Sequence, residues 1–288
     1  MTQSLLMTGD MPVTQTATPE PRFATIALAT GVTLHYLEQG DPQGEPVIML
    51  HGTSDSWNSF APVLPHLSVA YHVFALDQRG HGDSSKPADG YTMAEFAADV
   101  VAFMDAQGIA KATVLGHSMG SMIAQLTAIH YPDRVARLVL AGSMVTVGNP
   151  GLLEFNASLQ TLTDPVDLAF VRAFQVSTVN QPIPPEFLEK VIAESLKVPA
   201  HVWRQMVADF VKQDTTAQLP TIMAPTLIVR GGQDTYWPLS DQQLLAQAIP
   251  QSTLHIYEGA GHAVHWEQSE RFVADLERFL EATSLLPR

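Results

Sequence analysis

The sequence of 288 residues contains no cysteine. This absence excludes thiol nucleophiles, disulfides and cysteine-ligated metals together. Basic residues are also scarce, with 15 Lys and Arg against 29 Asp and Glu, which gives a formal net charge of −14 at pH 7. No basic cluster occurs in the chain, and an acidic surface offers no counter-charge to phosphate groups. Nucleic acids and anionic membranes are therefore disfavoured as partners.

Long apolar runs are lacking as well. No stretch approaches the roughly 20 apolar residues of a membrane span. Residues 1–22 contain three prolines and many polar residues, and they lack the basic stretch followed by an apolar one that is typical of a secretory signal. We therefore expect residues 1–22 to form a flexible tail and the protein to be cytoplasmic. The sequence leaves the oligomeric state open.

What the chain does contain is a recurring alternation of short apolar runs and helical patterns. Most of the runs are apolar throughout, which is typical of strands buried on both faces, as in a parallel sheet covered by helices. Strand–helix alternation predicts an α/β architecture with right-handed crossovers. The predicted strands are residues 25–29, 33–37, 46–50, 72–76, 112–115, 138–141, 226–229 and 253–257, and the predicted helices of this part are 93–106, 119–131, 240–248 and 270–282.

Residues 144–219 break this alternation, because they contain helical patterns and prolines but no convincing strand. We predict a helical cap, or lid, inserted after the sixth strand of a core formed by residues 23–143 and 220–288. Pro165, Pro185 and Pro199 are expected in the first turns of helices, where proline is tolerated. Most large apolar side chains of the cap are expected to hold it together, and a minority to touch substrate. The candidate helices are residues 152–161, 165–176, 185–196 and 199–212.

Residues 116–120, Gly-His-Ser-Met-Gly, follow an apolar run and open a helical pattern. A strand, a sharp turn and a helix are the context in which Gly-x-Ser-x-Gly forms a nucleophile elbow. Gly116 and Gly120 leave room for neighbouring backbone to come close. The elbow lifts the hydroxyl of Ser118 above the carboxyl edge of the sheet, so Ser118 is the candidate nucleophile.

A serine nucleophile needs a base at about 2.6–3.2 Å and a third group that orients the base. His262 follows the last strand through Gly-Ala-Gly, which lets its loop bend back over Ser118. Asp234 follows the preceding strand through Arg-Gly-Gly-Gln, at the same edge of the sheet. The order Ser118, Asp234, His262 is the one expected for a catalytic triad on this architecture. His265 could instead pair with His262 on a metal, but no matching carboxylate or histidine cluster accompanies the two.

The developing negative charge on a substrate oxygen needs two donors. One is the backbone N–H of the residue after the nucleophile, Met119, and the second comes from the loop after the third strand. Gly52 lets that loop turn sharply, so the N–H of Thr53 is our candidate. Trp57, further along the loop, fits either a wall of the substrate pocket or a cap on the core.

Residues 77–84, Asp-Gln-Arg-Gly-His-Gly-Asp-Ser, follow the fourth strand. Their spacing is not that of a phosphate-binding loop, and no helix opens directly on them. We expect a rigid loop in which Asp77 and Arg79 make local polar contacts. Since no cluster of histidines and carboxylates has ligand spacing, we expect neither a metal nor an organic cofactor.

Together these motifs resemble the α/β-hydrolase fold superfamily, and most closely its bacterial branch of esterases, lactonases and cofactor-free haloperoxidases. The resemblance implies an eight-stranded, mostly parallel sheet with helices on both faces, a helical cap and a Ser-His-Asp site. It spans nearly the whole chain apart from the tail and the cap. The residues that carry it are His51-Gly52, residues 77–84, residues 116–120, residues 231–234 and Gly261-His262.

The expected activity is hydrolysis of a carboxylic ester or lactone of a small, largely uncharged substrate through an acyl-enzyme on Ser118. Ser118 stands where haloalkane dehalogenases and epoxide hydrolases have Asp and dienelactone hydrolases have Cys. A C–C bond hydrolase of the meta-cleavage type is one alternative, although those enzymes typically have Trp directly after the catalytic His and this chain has Ala263. A non-catalytic ligand-binding member of the fold is the other.

Overall fold

The computed structural model describes residues 20–284, and its centre is an eight-stranded sheet in the order β1-β2-β4-β3-β5-β6-β7-β8. Strand β2 runs antiparallel to both its neighbours, and β3 to β8 are parallel to one another. The expected mostly parallel sheet is confirmed. The strands are β1 (Arg22–Ala27), β2 (Thr33–Gly40), β3 (Pro46–Leu50), β4 (His72–Leu76), β5 (Ala112–His117), β6 (Val135–Ala141), β7 (Thr226–Gly231) and β8 (Ser252–Tyr257).

Nine α-helices lie within residues 20–284. Helices α1, α2, α7, α8 and α9 belong to the strand–helix alternation, and α3 to α6 lie between β6 and β7. Of the tail predicted at residues 1–22, residues 1–19 lie outside the described residues, and Arg22 already belongs to β1. The helices are α1 (Met93–Ala106), α2 (Met119–His130), α3 (Pro150–Leu159), α4 (Leu168–Ser177), α5 (Pro185–Ser195), α6 (Ala200–Phe210), α7 (Leu239–Ala248), α8 (Val264–Glu267) and α9 (Ser269–Ala282).

Helices cover both faces of the sheet, which explains why the strands are apolar throughout. Successive residues of a strand point to opposite faces, so Ile48 of β3 packs with α1 and α2 while Met49 packs with α9. All seven residues of β6 are buried for the same reason. Because every parallel strand ends at the same edge, the loops after β3, β5, β7 and β8 meet there.

The helices α3 to α6 occupy the interval in which the sequence predicts no strand. Pro185 is the first residue of α5, as expected, and Pro199 caps the N-terminus of α6. The expectation for Pro165 is wrong, because α4 begins three residues later, at Leu168. There the side chain of Asp167 accepts a hydrogen bond from the N–H of Phe170 and fixes the start of the helix.

No helix within residues 20–284 combines the length and the apolar character needed to cross a bilayer.

Candidate active site

Ser118 sits at the sharp turn between β5 and α2 with φ 53° and ψ −119°, a strained conformation for a residue with a side chain. The turn is as tight as the sequence predicts. A Cβ atom at Gly116 would lie 2.1 Å from the carbonyl oxygen of Gly120, and one at Gly120 would lie 2.2 Å from that of Leu50. Only glycine fits at either position, so the two glycines allow the turn that presents Ser118.

His262 and Asp234 are hydrogen-bonded at the neighbouring strand ends. Since a carboxylate only accepts, His262 Nδ1 donates to Asp234 Oδ2, at 2.9 Å, which leaves Nε2 as the acceptor nitrogen. Asp234 Oδ1 accepts from the backbone N–H groups of Tyr236 (2.8 Å) and Trp237 (3.3 Å). Burial alone would raise the pKa of Asp234, but His262 and these N–H groups together hold it below its usual value.

Ser118 and His262 both line a cavity of about 350 Å³ between the sheet edge and the helices α3, α4 and α6. Ser118 is 9% exposed and His262 4%, so both residues are largely shielded from bulk solvent. Most of the wall is apolar. Its large side chains are Leu152, Phe155, Phe174, Val207, Phe210, Tyr236, Trp237 and Trp266.

The loop after β3 brings Thr53 to the same cavity. A Cβ at Gly52 would lie 3.3 Å from the Cβ of Ser118, so the loop passes directly beside the serine. Met119 is the first residue of α2. Within residues 20–284 neither the Thr53 nor the Met119 N–H donates to a backbone or side-chain acceptor. The two N–H groups that the sequence predicts as donors to the substrate oxygen are therefore available for that role.

Two further histidines pack beside His262. The ring of His117 lies 4.9 Å from that of His262 and 4.4 Å from that of His265. His117 Nε2 donates to the carbonyl oxygen of His262 at 3.2 Å, and His265 Nε2 bonds Ser59 Oγ at 3.1 Å. Burial, together with the neighbouring rings, keeps the pKa of His117 well below its usual value, and burial lowers that of His265 to about 3. Both rings are neutral supports for the His262 loop.

The loop of residues 77–84 makes local polar contacts, as expected. Asp77 accepts from the N–H groups of Trp57 (2.7 Å) and Asp83 (3.0 Å) and pairs with His35 (2.7 Å). Arg79 Nη2 donates to Asp99 at 2.7 Å. Although His35, Asp77 and Asp83 lie close enough together to surround an ion, these bonds already engage the oxygens of Asp77.

With this geometry in view, comparison with known proteins gives a clear match. A family model described as the alpha/beta hydrolase fold matches residues 45–269, most of the chain. The chain belongs to the alpha/beta hydrolase fold family. Its named relatives include hydrolases and non-heme chloroperoxidases.

Three relatives in the alpha/beta hydrolase fold family show the range of activities nearby. The 3-oxoadipate enol-lactonase 2 of Acinetobacter baylyi is 28% identical over 88% of this chain and 95% of its own. The 2-hydroxy-6-oxo-6-phenylhexa-2,4-dienoate hydrolase of Burkholderia cepacia is 30% identical over 80% of this chain and 85% of its own. A solved meta-cleavage product hydrolase from Pseudomonas fluorescens IP01 is 26% identical, with a TM-score of 0.78 over 91% of this chain and 98% of that one.

The aromatic residues near the site of this alpha/beta hydrolase divide into cavity-lining residues and supporting residues, and Trp57 takes the second of its two expected roles. Trp57 does not line the cavity; it packs edge-on against Phe23 at 4.8 Å and caps the core. Of two large aromatic residues of the cap, Phe174 lines the cavity, whereas Trp203 is fully buried and does not line it. Trp266, four residues after His262, does line the cavity.

Tyr236 is a site residue that the sequence does not reveal. Its ring stacks on His262 with centroids 4.8 Å apart, and its hydroxyl bonds Ser177 Oγ, at the end of α4, at 2.6 Å. Tyr236 therefore connects the histidine loop to the helices above the cavity. Its position two residues after Asp234 is the one signal that could have suggested it.

Proposed function

We propose that this chain is a serine hydrolase that cleaves a carboxylic ester or lactone of a small, largely uncharged substrate through an acyl-enzyme on Ser118. The observation that carries the proposal is the convergence of three groups on one cavity. Ser118 and His262 line it, and the Asp234 carboxylate holds His262 from behind.

In the proposed mechanism Ser118 Oγ attacks the carbonyl carbon of the substrate while His262 Nε2 takes the serine proton. The bond from Nδ1 to Asp234 fixes the tautomer in which Nε2 can accept that proton. The tetrahedral intermediate collapses, and His262 returns the proton to the leaving alcohol. Water, deprotonated by His262, then attacks the acyl-enzyme, and His262 returns the proton to Ser118 Oγ as the acid is released.

We assign the oxyanion hole to the backbone N–H groups of Thr53 and Met119. Neither donates to an acceptor in the described part of the chain, and Gly52 brings the Thr53 loop against Ser118. Removal of one such donor costs roughly 3 kcal/mol of transition-state stabilisation in comparable enzymes. The two donors favour attack on a carbonyl, because that is the group whose oxygen gains charge.

The cavity wall supports an uncharged substrate. No Lys or Arg of residues 20–284 lines it, and its one carboxyl group belongs to Asp55. A net charge of −14 on the chain adds repulsion toward anions. Apolar acyl and alkyl groups are favoured instead, at about 0.8 kcal/mol for each buried CH₂.

A C–C bond hydrolase is the second candidate, because a meta-cleavage product hydrolase is among the relatives and Trp266 lines the cavity. The relative that acts on a dienoate takes, by its name, a carboxylate anion. A cavity without Lys or Arg supplies no fixed cation for such a group. Ester hydrolysis is therefore the better-supported function.

The decisive experiment is covalent labelling with a serine-directed phosphonylating reagent, followed by peptide mass spectrometry. We expect the label on Ser118 and complete loss of ester hydrolysis. Ser118→Ala is expected to lower kcat by roughly 10⁴-fold or more. Ser158→Ala, an exposed serine of α3, serves as the matched control and is expected to keep full activity.

A panel of short acyl esters, lactones and a dienoate separates the candidate functions. We expect turnover of short acyl esters or lactones, and little turnover of a dienoate of the kind named for the relative. Faster cleavage of the dienoate than of every ester and lactone would favour the C–C hydrolase. Retained activity in Ser118→Ala, or a label elsewhere, would overturn the acyl-enzyme. Binding of esters without any turnover would identify a non-catalytic member of the fold.

A further inference from the structure

The largely apolar cavity has a polar patch beside the serine. Asp55 belongs to the loop after β3 and Gln175 to helix α4, and both line the cavity although they are only 4% and 1% exposed. A Cβ at Gly52 would lie 3.4 Å from Asp55 Oδ2 and 3.3 Å from the Cβ of Ser118. The carboxyl group and the nucleophile therefore lie on the same part of the cavity wall, and the proposed mechanism does not use the carboxyl group.

Asp55 has spare capacity to accept hydrogen bonds. Its Oδ1 accepts from Gln175 Nε2 at 2.8 Å and its Oδ2 from Ser59 Oγ at 3.3 Å. The backbone N–H of Gly52 is a third donor to this carboxyl group. Because a carboxylate offers about four acceptor positions, one position remains for a further donor. Burial raises the pKa of Asp55 to about 7 against the opposing effects of Gln175 and Ser59. Such a desolvated carboxyl group gains from each additional donor.

Gln175 is held so that its amide oxygen is unused. Its Nε2 lies within hydrogen-bond distance of Asp55 Oδ1, Ser195 Oγ (2.8 Å) and Ser54 Oγ (3.3 Å), which engages both amide hydrogens. Because Nε2 faces these acceptors, Oε1 is turned away from them, and it accepts no hydrogen bond from residues 20–284. Since Gln175 is 1% exposed and lines the cavity, the cavity is the space open to this oxygen.

We propose that Asp55 and Gln175 form a specificity subsite that accepts a hydrogen bond from a hydroxyl group of the substrate. The inference rests on the proposed ester hydrolysis and narrows its substrate class to hydroxylated esters or lactones. With Asp55 ionised, the patch offers two acceptors and no free donor, which matches a donor on the substrate. The helix, the loop after β3 and Ser195 of α5 fix both side chains in advance, which keeps the entropic cost of binding low.

The same contacts also join helix α4 to the loop after β3, so the test needs a readout that a purely structural role would not change. That readout is a ratio of kcat/KM values for matched esters. One pair is methyl 3-hydroxybutanoate and methyl butanoate, with the hydroxyl in the acyl part. The other pair is 2-hydroxyethyl butanoate and propyl butanoate, with the hydroxyl in the alcohol part.

We expect the wild-type enzyme to prefer the hydroxylated ester of at least one pair by about tenfold, the usual effect of a hydrogen bond to a charged or buried acceptor. In Gln175→Met, which keeps the size of the side chain, and in Asp55→Asn, the ratio is expected to fall to within about twofold of unity. Thr178→Val is the matched control. It removes a cavity-lining hydroxyl that already donates to the backbone carbonyl oxygen of Gln175, at 2.7 Å. The ratio of kcat/KM values is therefore expected to stay at the wild-type value.

Equal kcat/KM for both members of both pairs in the wild type, or an unchanged preference in Gln175→Met, would overturn the subsite and leave ester hydrolysis intact. Binding of the same four esters to Ser118→Ala, measured by ligand-observed NMR, provides a readout without turnover. If no ester is hydrolysed, the proposed function fails, and the affinity ratio in this variant still decides on the subsite. A tenfold tighter binding of a hydroxylated ester supports it, and equal binding refutes it.

Discussion

Asp234 acts on His262 through one hydrogen bond, and the direction of that bond sets what the imidazole can do. In Asp234→Asn the amide can turn its N–H₂ group toward Nδ1. His262 would then carry its proton on Nε2 and could not accept one from Ser118. We expect kcat on a short ester to fall by roughly 10⁴-fold with little change in fold, measured by steady-state kinetics and circular dichroism.

Asp133→Asn is the control, because Asp133 is an exposed acid in the turn after α2. It loses the same charge far from the cavity and is expected to keep its activity. An Asp234→Asn enzyme within tenfold of the wild type would mean that Asp234 does not set the tautomer of His262, and the proposed triad would be wrong.

At this scale the sequence predicts the residues whose position depends on local turns and misses those placed by distant contacts. Ser118, Asp234 and His262 each follow a strand through glycine, so their common edge can be inferred. Asp55 and Gln175 meet across 120 residues of chain, and no spacing records that contact. A charged residue such as Asp55 in a polar loop is indistinguishable from an exposed one until the cap is placed.

Among the elements, the turn between β5 and α2 depends most on residue size. We expect Gly116→Ala to lower the free energy of unfolding by about 3 kcal/mol or more, because its methyl group would lie 2.1 Å from the Gly120 carbonyl oxygen. Urea unfolding measures the change. Gly151→Ala in α3, where the nearest atom would be 3.5 Å away, is expected to be neutral or stabilising. Equal losses in both variants would contradict this account of the turn.

Helix α4 carries both residues that line the cavity and residues that only support them. Phe174 lines the cavity, and its ring lies 5.7 Å from that of Phe155 and 5.4 Å from that of Trp203. Phe174→Ala enlarges the cavity, so we expect the best substrates to be longer by about two carbons. Each added CH₂ that becomes buried is expected to raise kcat/KM about fourfold, which an ester series of increasing chain length measures.

Phe170→Ala is the matched control on the same helix. Phe170 packs against Trp203 at 5.4 Å but does not line the cavity. We expect this variant to lose stability and to keep the wild-type chain-length profile. A profile that stays fixed in Phe174→Ala would mean that α4 does not set substrate size.

Element boundaries follow from the sequence where a local cap defines them. Helix α1 spans Met93–Ala106 as predicted, and Thr92 and Glu95 form a reciprocal capping box at its start. Helix α4 was predicted to start at Pro165, whose fixed φ suits a first turn, but the cap at Asp167 sets the start instead. Which residues of α4 face the cavity depends on how four helices pack together, and periodicity alone does not determine that packing.

For the whole molecule, the α/β alternation and the number of strands could be predicted, because strands buried on both faces are apolar throughout. The place of the site could be predicted too, since parallel strands share one carboxyl edge. The shape and the wall of the cavity could not be predicted. Its volume and its polar patch arise where α3 to α6 meet that edge, and each wall residue is set by contacts between segments far apart in the chain.

Buried neutral histidines make the stability of the whole fold depend on pH. Burial lowers the pKa of His51, His81, His117 and His265, to about 4 for His81 and about 3 for His265. Unfolded histidine has a pKa near 6.5, so below that pH the unfolded chain takes up protons that the folded chain does not. The contribution of these four groups is complete above about pH 6.5 and is lost as the pH falls toward the folded pKa values.

Asp55, with its pKa raised to about 7, opposes this loss by one proton between about pH 7 and pH 4. The hydrogen bond to Asp77 raises the pKa of His35, so its contribution to stability is complete and constant below about pH 6.5 and is lost only as the pH rises above that value. On acidification the four histidines therefore take up protons in the unfolded chain, and Asp55 takes up one in the folded chain. The free energy of unfolding is expected to fall by about 1.4 kcal/mol per pH unit for each net proton. Urea unfolding between pH 7.5 and 5 measures the slope.

His265→Gln removes one of the four groups and is expected to flatten the slope by about one such increment, whereas His66→Gln, at an exposed position, leaves it unchanged. A wild-type stability that is constant or rises from pH 6.5 to 5 would show that the buried histidines are protonated in the folded protein.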